Sequence, residues 1–152
     1  MRNKAIIVDL DGTLADSRHR VQYVDGSQKK DWNKFNALSA FDNPNPWCMD
    51  LVRNYASAGY DIVFLTARSG SKETRAITET WLRTHVPGWI KYSLFMRDEK
   101  DYRPDYISKQ EVYNLQIAPY YDVQLAIDDK PAVCSMWRTV GITSLLCDNL
   151  EG

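Results

Sequence analysis

The chain has 152 residues, of which 44% are hydrophobic and 26% are charged, and its formal net charge is -1. This is the composition of an ordinary globular protein, and the length is enough to bury one sizeable core, so we expect a single domain spanning residues 1–152. A net charge so close to zero provides no broad basic field, which disfavours a protein that binds a long stretch of nucleic acid.

The first predicted strand is the apolar run at residues 5–8. A long segment without hydrophobic periodicity follows at residues 16–46, with at most a short helix near residues 32–40. Its length favours a functional segment over a simple connection. A helix is then predicted to begin at Pro46, with apolar residues repeating every fourth position, and to stop at Gly59.

The middle of the chain alternates between strand and helix patterns. Residues 61–65 predict a second strand, and residues 71–85 predict a helix that is closed by Pro87. Residues 92–96 are a weaker strand candidate, and residues 104–117 predict a helix with a less regular apolar stripe.

The last third of the chain continues the alternation. Residues 123–127 predict a third clear strand, a helix lies between Pro131 and Gly141, and residues 142–146 are a weaker strand. Strands that alternate with helices imply parallel βαβ units, and strands apolar on both faces suit a sheet covered on both sides. We therefore expect an α/β fold of three layers, with a mainly parallel sheet between two layers of helices.

The cysteines and the N-terminus limit the compartment. The cysteines are odd in number, far apart and without metal-ligand spacing, at Cys48, Cys134 and Cys147. Neither a disulfide framework nor a zinc site is indicated, and a reducing cytoplasm is the expected location. The chain shows no signal-peptide pattern and no apolar run of about 18 residues, so we expect neither export by such a signal nor a membrane span.

Polar residues follow each of the three clear strands at its carboxyl end, namely Asp9 and Asp11, Thr66 and Arg68, and Asp128 and Asp129. In an open α/β sheet this edge binds ligands at the point where the strand order reverses. Four carboxylates brought together would repel one another and titrate at raised pH unless a cation held them. An all-oxygen ligand set without His or Cys favours Mg²⁺.

The same residues suit phosphoryl transfer. An Asp carboxylate can attack phosphorus and form an aspartyl phosphate. Asp11 could protonate the departing alcohol and later take a proton from water. Gly12 would allow a tight turn whose amide N–H groups face the phosphate. The Thr66 hydroxyl and a lysine would neutralise the transferring oxygens.

At these residues the sequence resembles the haloacid dehalogenase superfamily of phosphatases. The run from Asp9 to Thr13 (Asp-Leu-Asp-Gly-Thr) resembles motif I, Thr66 with its two preceding residues resembles motif II, and Asp128-Asp129 resembles motif IV. Lys109 is the best match to the motif III lysine, although Lys100 and Lys130 are alternatives. Within the superfamily, the chain is most similar to the 3′-phosphatase domain of bacteriophage polynucleotide kinases. The residues that carry this narrower likeness are 117–141 together with Arg68, Arg97, Arg103, Asp105 and Lys109.

The resemblance implies a role for each matched residue. Asp9 would be the nucleophile and Asp11 the general acid and base. Mg²⁺ would be held by Asp9, Asp128 and the main-chain carbonyl of Asp11, with Asp129 bound through water or orienting the other ligands. Thr66 and Lys109 would bind the phosphoryl oxygens. The remaining substrate contacts would come from Gly12, Thr13, Arg68 and Arg103.

The substrate implied by the resemblance is a 3′-phosphate at a DNA or RNA end, in a nucleic-acid repair setting. No GxxxxGK[ST] phosphate loop occurs in the sequence, so a separate kinase is a candidate partner. The segment after motif I is longer than in the resembled domain, and the tail after Cys147 does not match it. Two alternatives stay open, namely a small-molecule phosphatase such as a 5′(3′)-nucleotidase and an inactive nucleic-acid-binding module.

The segment at residues 16–46 bears on this choice, because it can close over a small substrate as a minimal cap or leave the site open to a polymer end. Between Ser17 and Lys34 it carries five basic residues against two acids. A solvated loop and a phosphate-binding surface both explain that excess. Tyr23 and Trp32 are the aromatic residues beside it that could stack on bases.

Overall fold

A computed structural model describes residues 1–25 and 29–148 of the chain. Its main sheet has five parallel strands in the spatial order β5-β4-β1-β6-β7. The strands are β1 (Asn3–Val8), β4 (Asp61–Ser69), β5 (Tyr92–Arg97), β6 (Tyr121–Asp128) and β7 (Thr143–Leu146). Two short antiparallel strands, β2 (Ala15–Asp16) and β3 (Asn43–Pro44), pair separately. The predicted α/β class with a parallel sheet is confirmed.

Helices cover both faces of the sheet, which confirms the three predicted layers. The helices are α1 (Trp32–Ala37), α2 (Pro46–Ser57), α3 (Lys72–His85), α4 (Asp105–Val112) and α5 (Pro131–Thr139). One core lies between the sheet and helices α2 and α3, and it contains Ile6, Phe64 and Trp81. The second core lies against α5 and the end of the α4 region, and it contains Ile7 and Trp137. Adjacent strand residues point to opposite faces, so β1 supplies both cores.

The helix ends follow local chemistry. Helix α2 begins at Pro46, where a missing N–H costs no helical hydrogen bond, and it ends just before Gly59, whose φ is +93°. Helix α3 is capped by Ser71, whose hydroxyl accepts a hydrogen bond from the Thr74 N–H at 3.3 Å. The helix predicted at 104–117 is divided, because Tyr113–Ile117 forms a wider π-helical turn after α4.

The segment at residues 16–46 is more structured than its sequence indicates. Besides α1 it forms two short 3₁₀ helices, Arg18–Tyr23 and Leu38–Phe41. Its ends are held together at the site edge of the sheet by the β2–β3 pair and by Asn45, whose main-chain N–H donates to the Leu14 carbonyl at 2.7 Å. Residues 26–28 of this segment lie outside the described residues. So does the unmatched tail after Cys147, apart from Asp148.

No helix in the described ranges is both long enough and apolar enough to cross a membrane.

Candidate active site

The site lies where the strand order of the sheet reverses. Strand β1 is the centre of the sheet, with β4 and then β5 on one side of it and β6 and then β7 on the other. Asp9 follows β1 directly, and Asp128 and Asp129 end and follow the neighbouring strand β6. The two strands pair in register up to Val8 and Ile127, so these acids emerge side by side. This is the position at which open α/β sheets bind ligands.

Three carboxylates form the first cluster of the site, which we call the acidic cluster. One oxygen from each of Asp9, Asp128 and Asp129 lies within 4.8 Å of the others, and all three residues are buried. Lys109 of α4 contacts two of them, since its Nζ lies 2.9 Å from Asp9 Oδ1 and 2.6 Å from Asp128 Oδ2. The Thr13 hydroxyl donates to Asp9 Oδ2 at 2.9 Å. Both oxygens of Asp9 are therefore fixed in direction.

The acidic cluster has less positive charge than negative charge. Burial raises the pKa of Asp9 well above its ordinary value, with Asp128 adding to the rise. Burial and the same neighbour raise the pKa of Asp129 to about 6. Burial lowers the pKa of Lys109, but Asp128 and Asp9 outweigh it, so this pKa lies above its ordinary value and the ammonium stays charged. One ammonium thus faces three carboxylates.

Asp129 supplies a separate sign of an incomplete site. Its Oδ1 is buried and has no hydrogen-bond partner among the described residues. Buried carboxylate oxygens are normally paired, and those left unpaired in a native protein call for a missing partner. An all-oxygen donor set with one unpartnered oxygen fits a hard divalent cation such as Mg²⁺.

Two carboxylates and two guanidiniums form a second cluster, which we call the arginine clamp. Arg68 donates to Asp11, with Nη2 2.6 Å from Oδ1 and Nε 3.1 Å from each oxygen. Arg20 donates through Nη2 to Asp11 Oδ1 and through Nε to Asp42 Oδ1 at 2.9 Å. His19 Nε2 lies 2.7 Å from the same Asp42 oxygen. Every carboxylate in the clamp therefore has a basic partner.

The clamp lowers the pKa of its carboxyl Asp11, whereas the acidic cluster raises the pKa of Asp9 and Asp129. Burial raises the pKa of Asp11, but the guanidiniums of Arg68 and Arg20 outweigh it and hold this pKa well below its ordinary value. Asp11 is therefore an ionised carboxylate in the structure. Neighbouring elements fix the clamp, because Arg68 Nη1 donates to Thr78 Oγ1 of α3 at 3.0 Å and the Trp81 indole donates to the Asp42 carbonyl at 2.9 Å.

The turn after β1 depends on Gly12. Its φ is +80°, which side chains disfavour, and a Cβ at this position would collide with the Asp129 carboxylate. The Gly12 N–H donates to the Ala15 carbonyl at 2.9 Å and the Thr13 N–H to the Leu10 carbonyl at 3.0 Å. The turn itself therefore uses the N–H groups of Gly12 and Thr13, and any amide that faces a phosphate would belong to another residue of the turn.

The remaining predicted residues divide into those at the site and one elsewhere. Thr66 is buried on β4, next to β1, and its hydroxyl accepts from the Arg68 N–H at 3.1 Å. Lys109 contacts the acidic cluster, whereas its alternative Lys130 pairs with Asp105. Arg103 lies on the exposed face before α4, where its ion pairs are with Asp101 and Glu111. Within the described chain no contact joins Arg103 to the acidic cluster or the clamp.

Sequence reasoning missed Arg20 and Asp42. Arg20 was one of five basic residues in a segment expected to face solvent or substrate, yet its side chain is fully buried. Asp42 is also buried, in a stretch without periodicity. The only local sign was an excess of charge in a segment with no repeating pattern, which cannot tell a buried ion pair from an exposed one.

Comparisons with known proteins agree with this geometry. Residues 3–150 match the model of the family described as the polynucleotide kinase PNKP phosphatase domain. The chain is 31% identical over 144 residues to a protein of Autographa californica nuclear polyhedrosis virus described as a bifunctional polynucleotide kinase/RNA ligase. That match covers 93% of this chain and 19% of the viral protein.

Solved structures share the fold of this chain. A chain of the Pnkp1/Rnl/Hen1 complex matches with 29% identity and a TM-score of 0.77, over 97% of this chain and 46% of that chain. A class C acid phosphatase from Bacillus anthracis matches with 17% identity and a TM-score of 0.68, over 100% of this chain and 69% of that one. The chain thus spans about a fifth of the viral relative and just under half of the matched chain of the complex. With a family match over nearly its whole length, the chain belongs to the polynucleotide kinase PNKP phosphatase domain family of the haloacid dehalogenase superfamily.

Proposed function

We propose that this chain is a Mg²⁺-dependent phosphomonoesterase that removes 3′-phosphates from DNA or RNA ends through an aspartyl phosphate on Asp9. The observation that carries the proposal is the acidic cluster: three buried carboxylates share one lysine, and Asp129 Oδ1 has no partner among the described residues. The family of the chain supports phosphatase chemistry at that cluster.

The ligands proposed for Mg²⁺ are the carboxylates of Asp9 and Asp128 and the main-chain carbonyl of Asp11. The Asp11 carboxylate is taken by two arginines, which leaves its carbonyl as the group it can offer. Asp129 would bind through water or orient the other ligands. When bound, the ion would offset the mutual repulsion of the carboxylates and the phosphate.

Asp9 is the proposed nucleophile. In the first step an Asp9 Oδ–P bond forms while the bond from phosphorus to the substrate 3′-oxygen breaks. In the second step the oxygen of water bonds to phosphorus and the Asp9 oxygen leaves, which restores the carboxylate. Lys109 holds one oxygen of Asp9 and Thr13 holds the other, so the attack needs little reorientation of this side chain.

Asp11 is the proposed general acid and base. It would give a proton to the departing 3′-oxygen and then take a proton from the attacking water, so the net reaction consumes one water molecule. The arginine clamp favours the ionised Asp11, which is the form needed to accept the proton of water. A substrate dianion beside Asp11 raises the pKa of this carboxyl, which favours the protonated form needed for the first step.

The proposed phosphate contacts come from Thr66, Lys109 and main-chain amides. Within the described structure the N–H groups of Leu10 and Asp11 make no hydrogen bond, and both belong to the turn that follows β1. These two amides are the main-chain donors we propose for the phosphate. Gly12 and Thr13 shape the turn around the phosphate, and Arg68 acts on the substrate through Asp11. Arg103 would reach only the more distant part of a nucleic acid.

The nucleic-acid substrate is proposed from the relatives. The viral relative is described as a polynucleotide kinase/RNA ligase, and a matched chain belongs to the Pnkp1/Rnl/Hen1 RNA repair complex. We infer that this chain prepares nucleic-acid ends for joining, with 5′-phosphorylation by a kinase that is a candidate partner.

A substrate panel tests the proposal. With Mg²⁺ present, the chain should release phosphate from 3′-phosphorylated oligonucleotides with a higher kcat/KM than from 5′-phosphorylated ones or from mononucleotides. Asp9→Asn should abolish release from all of them, whereas Asp122→Asn, at the opposite end of β6, should leave it unchanged. Faster turnover of mononucleotides would instead identify a nucleotidase. No turnover of any phosphate, including an aryl phosphate, would identify an inactive module.

A further inference from the structure

A group of lysines and aromatic rings lies on the segment that follows the turn after β1. We call it the lysine–aromatic surface, and it consists of the half-buried Tyr23 and the exposed Lys29, Lys30, Trp32 and Lys34. Trp32 is 53% exposed. It lines an open concavity of about 530 Å³ together with Lys29, Lys30, Asp31 and Asn33. A large indole left this far in solvent contributes little to a core, so it is available to a ligand.

Two of the three lysines of this surface, Lys30 and Lys34, lie over aromatic rings instead of beside acids. Lys30 Nζ lies 5.6 Å from the centre of the Trp32 ring, and Lys34 Nζ lies 4.6 Å from the centre of the Tyr23 ring. In the described ranges none of the three lysines forms an ion pair. By contrast, Arg18 and Arg20 of the same segment are paired with Asp16 and with the clamp carboxylates. The charge that is left for a ligand is therefore on the lysines.

A short series of side-chain contacts joins this surface to Asp11, in the turn after β1. The Trp32 ring packs edge-on against Phe35, with 5.6 Å between ring centres. The guanidinium of Arg20 lies 4.3 Å from the centre of the Phe35 ring and donates to Asp11. Asp31 fixes the start of α1 by accepting the Lys34 N–H at 3.0 Å. The surface is thus held in a set position relative to the proposed general acid.

We propose that the lysine–aromatic surface binds the single-stranded nucleic acid that leads to the 3′-phosphate. Bases stack on Trp32 and Tyr23, and the three lysines meet the phosphates between them. This combination is the one by which proteins bind single strands without sequence preference, because every base has a flat face and every linkage a negative charge. The proposal rests on the proposed function and adds to it, since it makes a polymer strand, not a mononucleotide, the preferred substrate.

Equilibrium binding tests the surface without relying on turnover. The probes are fluorescent ten-residue oligothymidylate and oligouridylate with 3′-hydroxyl ends, followed by fluorescence anisotropy. Trp32→Ala should weaken binding about five- to a hundred-fold, the loss expected for one stacked base. Trp89→Ala is the matched control, because Trp89 is 59% exposed and precedes β5 at the opposite end of the sheet.

Salt dependence tests the lysines separately. Log affinity falls as log salt rises, and the double variant Lys29→Glu/Lys30→Glu should make this fall less steep. The slope should change by about 1.4, which is about 0.7 for each lost single-strand contact. The control Lys4→Glu/Lys91→Glu makes the same change in net charge on exposed lysines at the far edge of the sheet, and it should leave the slope unchanged. Melting temperatures verify that all four variants fold.

The outcomes separate this inference from the function it rests on. If the oligonucleotides bind and the Trp32 and lysine variants lose that binding, the surface is established even when no 3′-phosphate is released. If 3′-phosphates are released but these variants bind like their controls, the surface is overturned and the phosphatase remains. Binding too weak to detect for both probes also overturns the surface.

Discussion

The acidic cluster and the arginine clamp are both built from carboxylates and basic side chains, but only the clamp is balanced in charge. The acidic cluster places three carboxylates around the single ammonium of Lys109. The clamp places two carboxylates, of Asp11 and Asp42, against two guanidiniums, of Arg20 and Arg68. The two clusters are joined by the turn from Asp9 to Asp11. Over two residues, the chain passes from a carboxyl with a raised pKa to one with a lowered pKa.

The difference in charge balance shows which of the two groups of acids would be stabilised by a bound cation. Charge counting distinguishes the two clusters where proximity alone does not, because clustered acids occur in both. The clamp is electrically complete and gains nothing from a further positive charge. The acidic cluster has a deficit that a divalent ion would correct. Substitutions in the two clusters should therefore have opposite effects on the metal-free protein.

The largest expected effect comes from Asp9, the proposed nucleophile. Asp9→Asn should abolish turnover of an aryl phosphate and leave the metal-free protein as stable as the wild type or slightly more stable, because it removes repulsion with Asp128 and Asp129. Phosphate release and the melting temperature without Mg²⁺ measure the two effects. Retained activity, or a variant that does not fold, would contradict the assignment of Asp9.

In the arginine clamp the same kind of change should destabilise. Arg20→Ala removes the nearer guanidinium from the buried Asp42, which keeps only the Arg68 guanidinium at 3.5 Å, and one of the two guanidiniums on Asp11, so the free energy of unfolding should fall by about 3–5 kcal/mol. Urea denaturation measures it. Arg18→Ala is the control, since Arg18 is exposed on the same 3₁₀ helix and pairs with Asp16, and it should change the stability far less than Arg20→Ala. Equal losses would remove the distinction between the clamp and a surface ion pair.

Magnesium should stabilise the protein through one cluster only. At a free concentration of about 100 times Kd, an ion that binds only the native state adds about 2.7 kcal/mol. The resulting rise in melting temperature should disappear in Asp128→Ala and persist in Asp42→Asn, because Asp42 belongs to the clamp. An Asp128→Ala variant that keeps the full rise would place the metal elsewhere.

The smallest expected effect is a pH dependence of the metal-free protein. The native pKa of Asp129, about 6, exceeds its ordinary value, so its protonated form stabilises the fold up to pH 4 and that stability is lost as pH rises through 6. Asp9 acts with the same sign. Asp11, with a lowered pKa, changes stability only below about pH 4.

Without metal the protein should therefore be more stable at pH 5 than at pH 7.5, by about 1 kcal/mol. With Mg²⁺ the order should reverse, because protons and the metal compete for the same oxygens. Asp129→Asn should reduce the metal-free difference. A metal-free protein that is more stable at pH 7.5 would contradict the charge deficit of the acidic cluster.

The acidic cluster could be predicted from the sequence, whereas only Asp11 and Arg68 of the clamp could, for a physical reason. Asp9, Thr66 and Asp128 follow apolar runs whose strands end at one edge of a parallel sheet, so periodicity alone locates them together. Lys109 was harder to assign, because α4 carries it on a weakly periodic helix. Its contact with Asp9 distinguishes it from Lys130.

Arg20 and Asp42 belong to a segment that folds through 3₁₀ turns and a two-residue strand pair, which leave no repeating pattern. Arg20 pairs with Asp11 and with Asp42, which lie 9 and 22 residues away along the chain. Local sequence carries no information on such pairs. Nor does it show whether the N–H groups of Gly12 and Thr13 are used within the turn, since this depends on how the turn closes.

The strand order also determines when the site can form during folding. The strand β1 lies in the centre of the sheet, and one of its two neighbours, β6, comes from the far end of the chain. Such long-range pairing is slow, because loop-closure entropy is lost before the contacts form. An emerging chain therefore carries Asp9 long before Lys109 and Asp128 exist to surround it. In the proposed mechanism Asp9 stays solvated and inactive until β6 docks, so activity would report completion of the sheet during refolding.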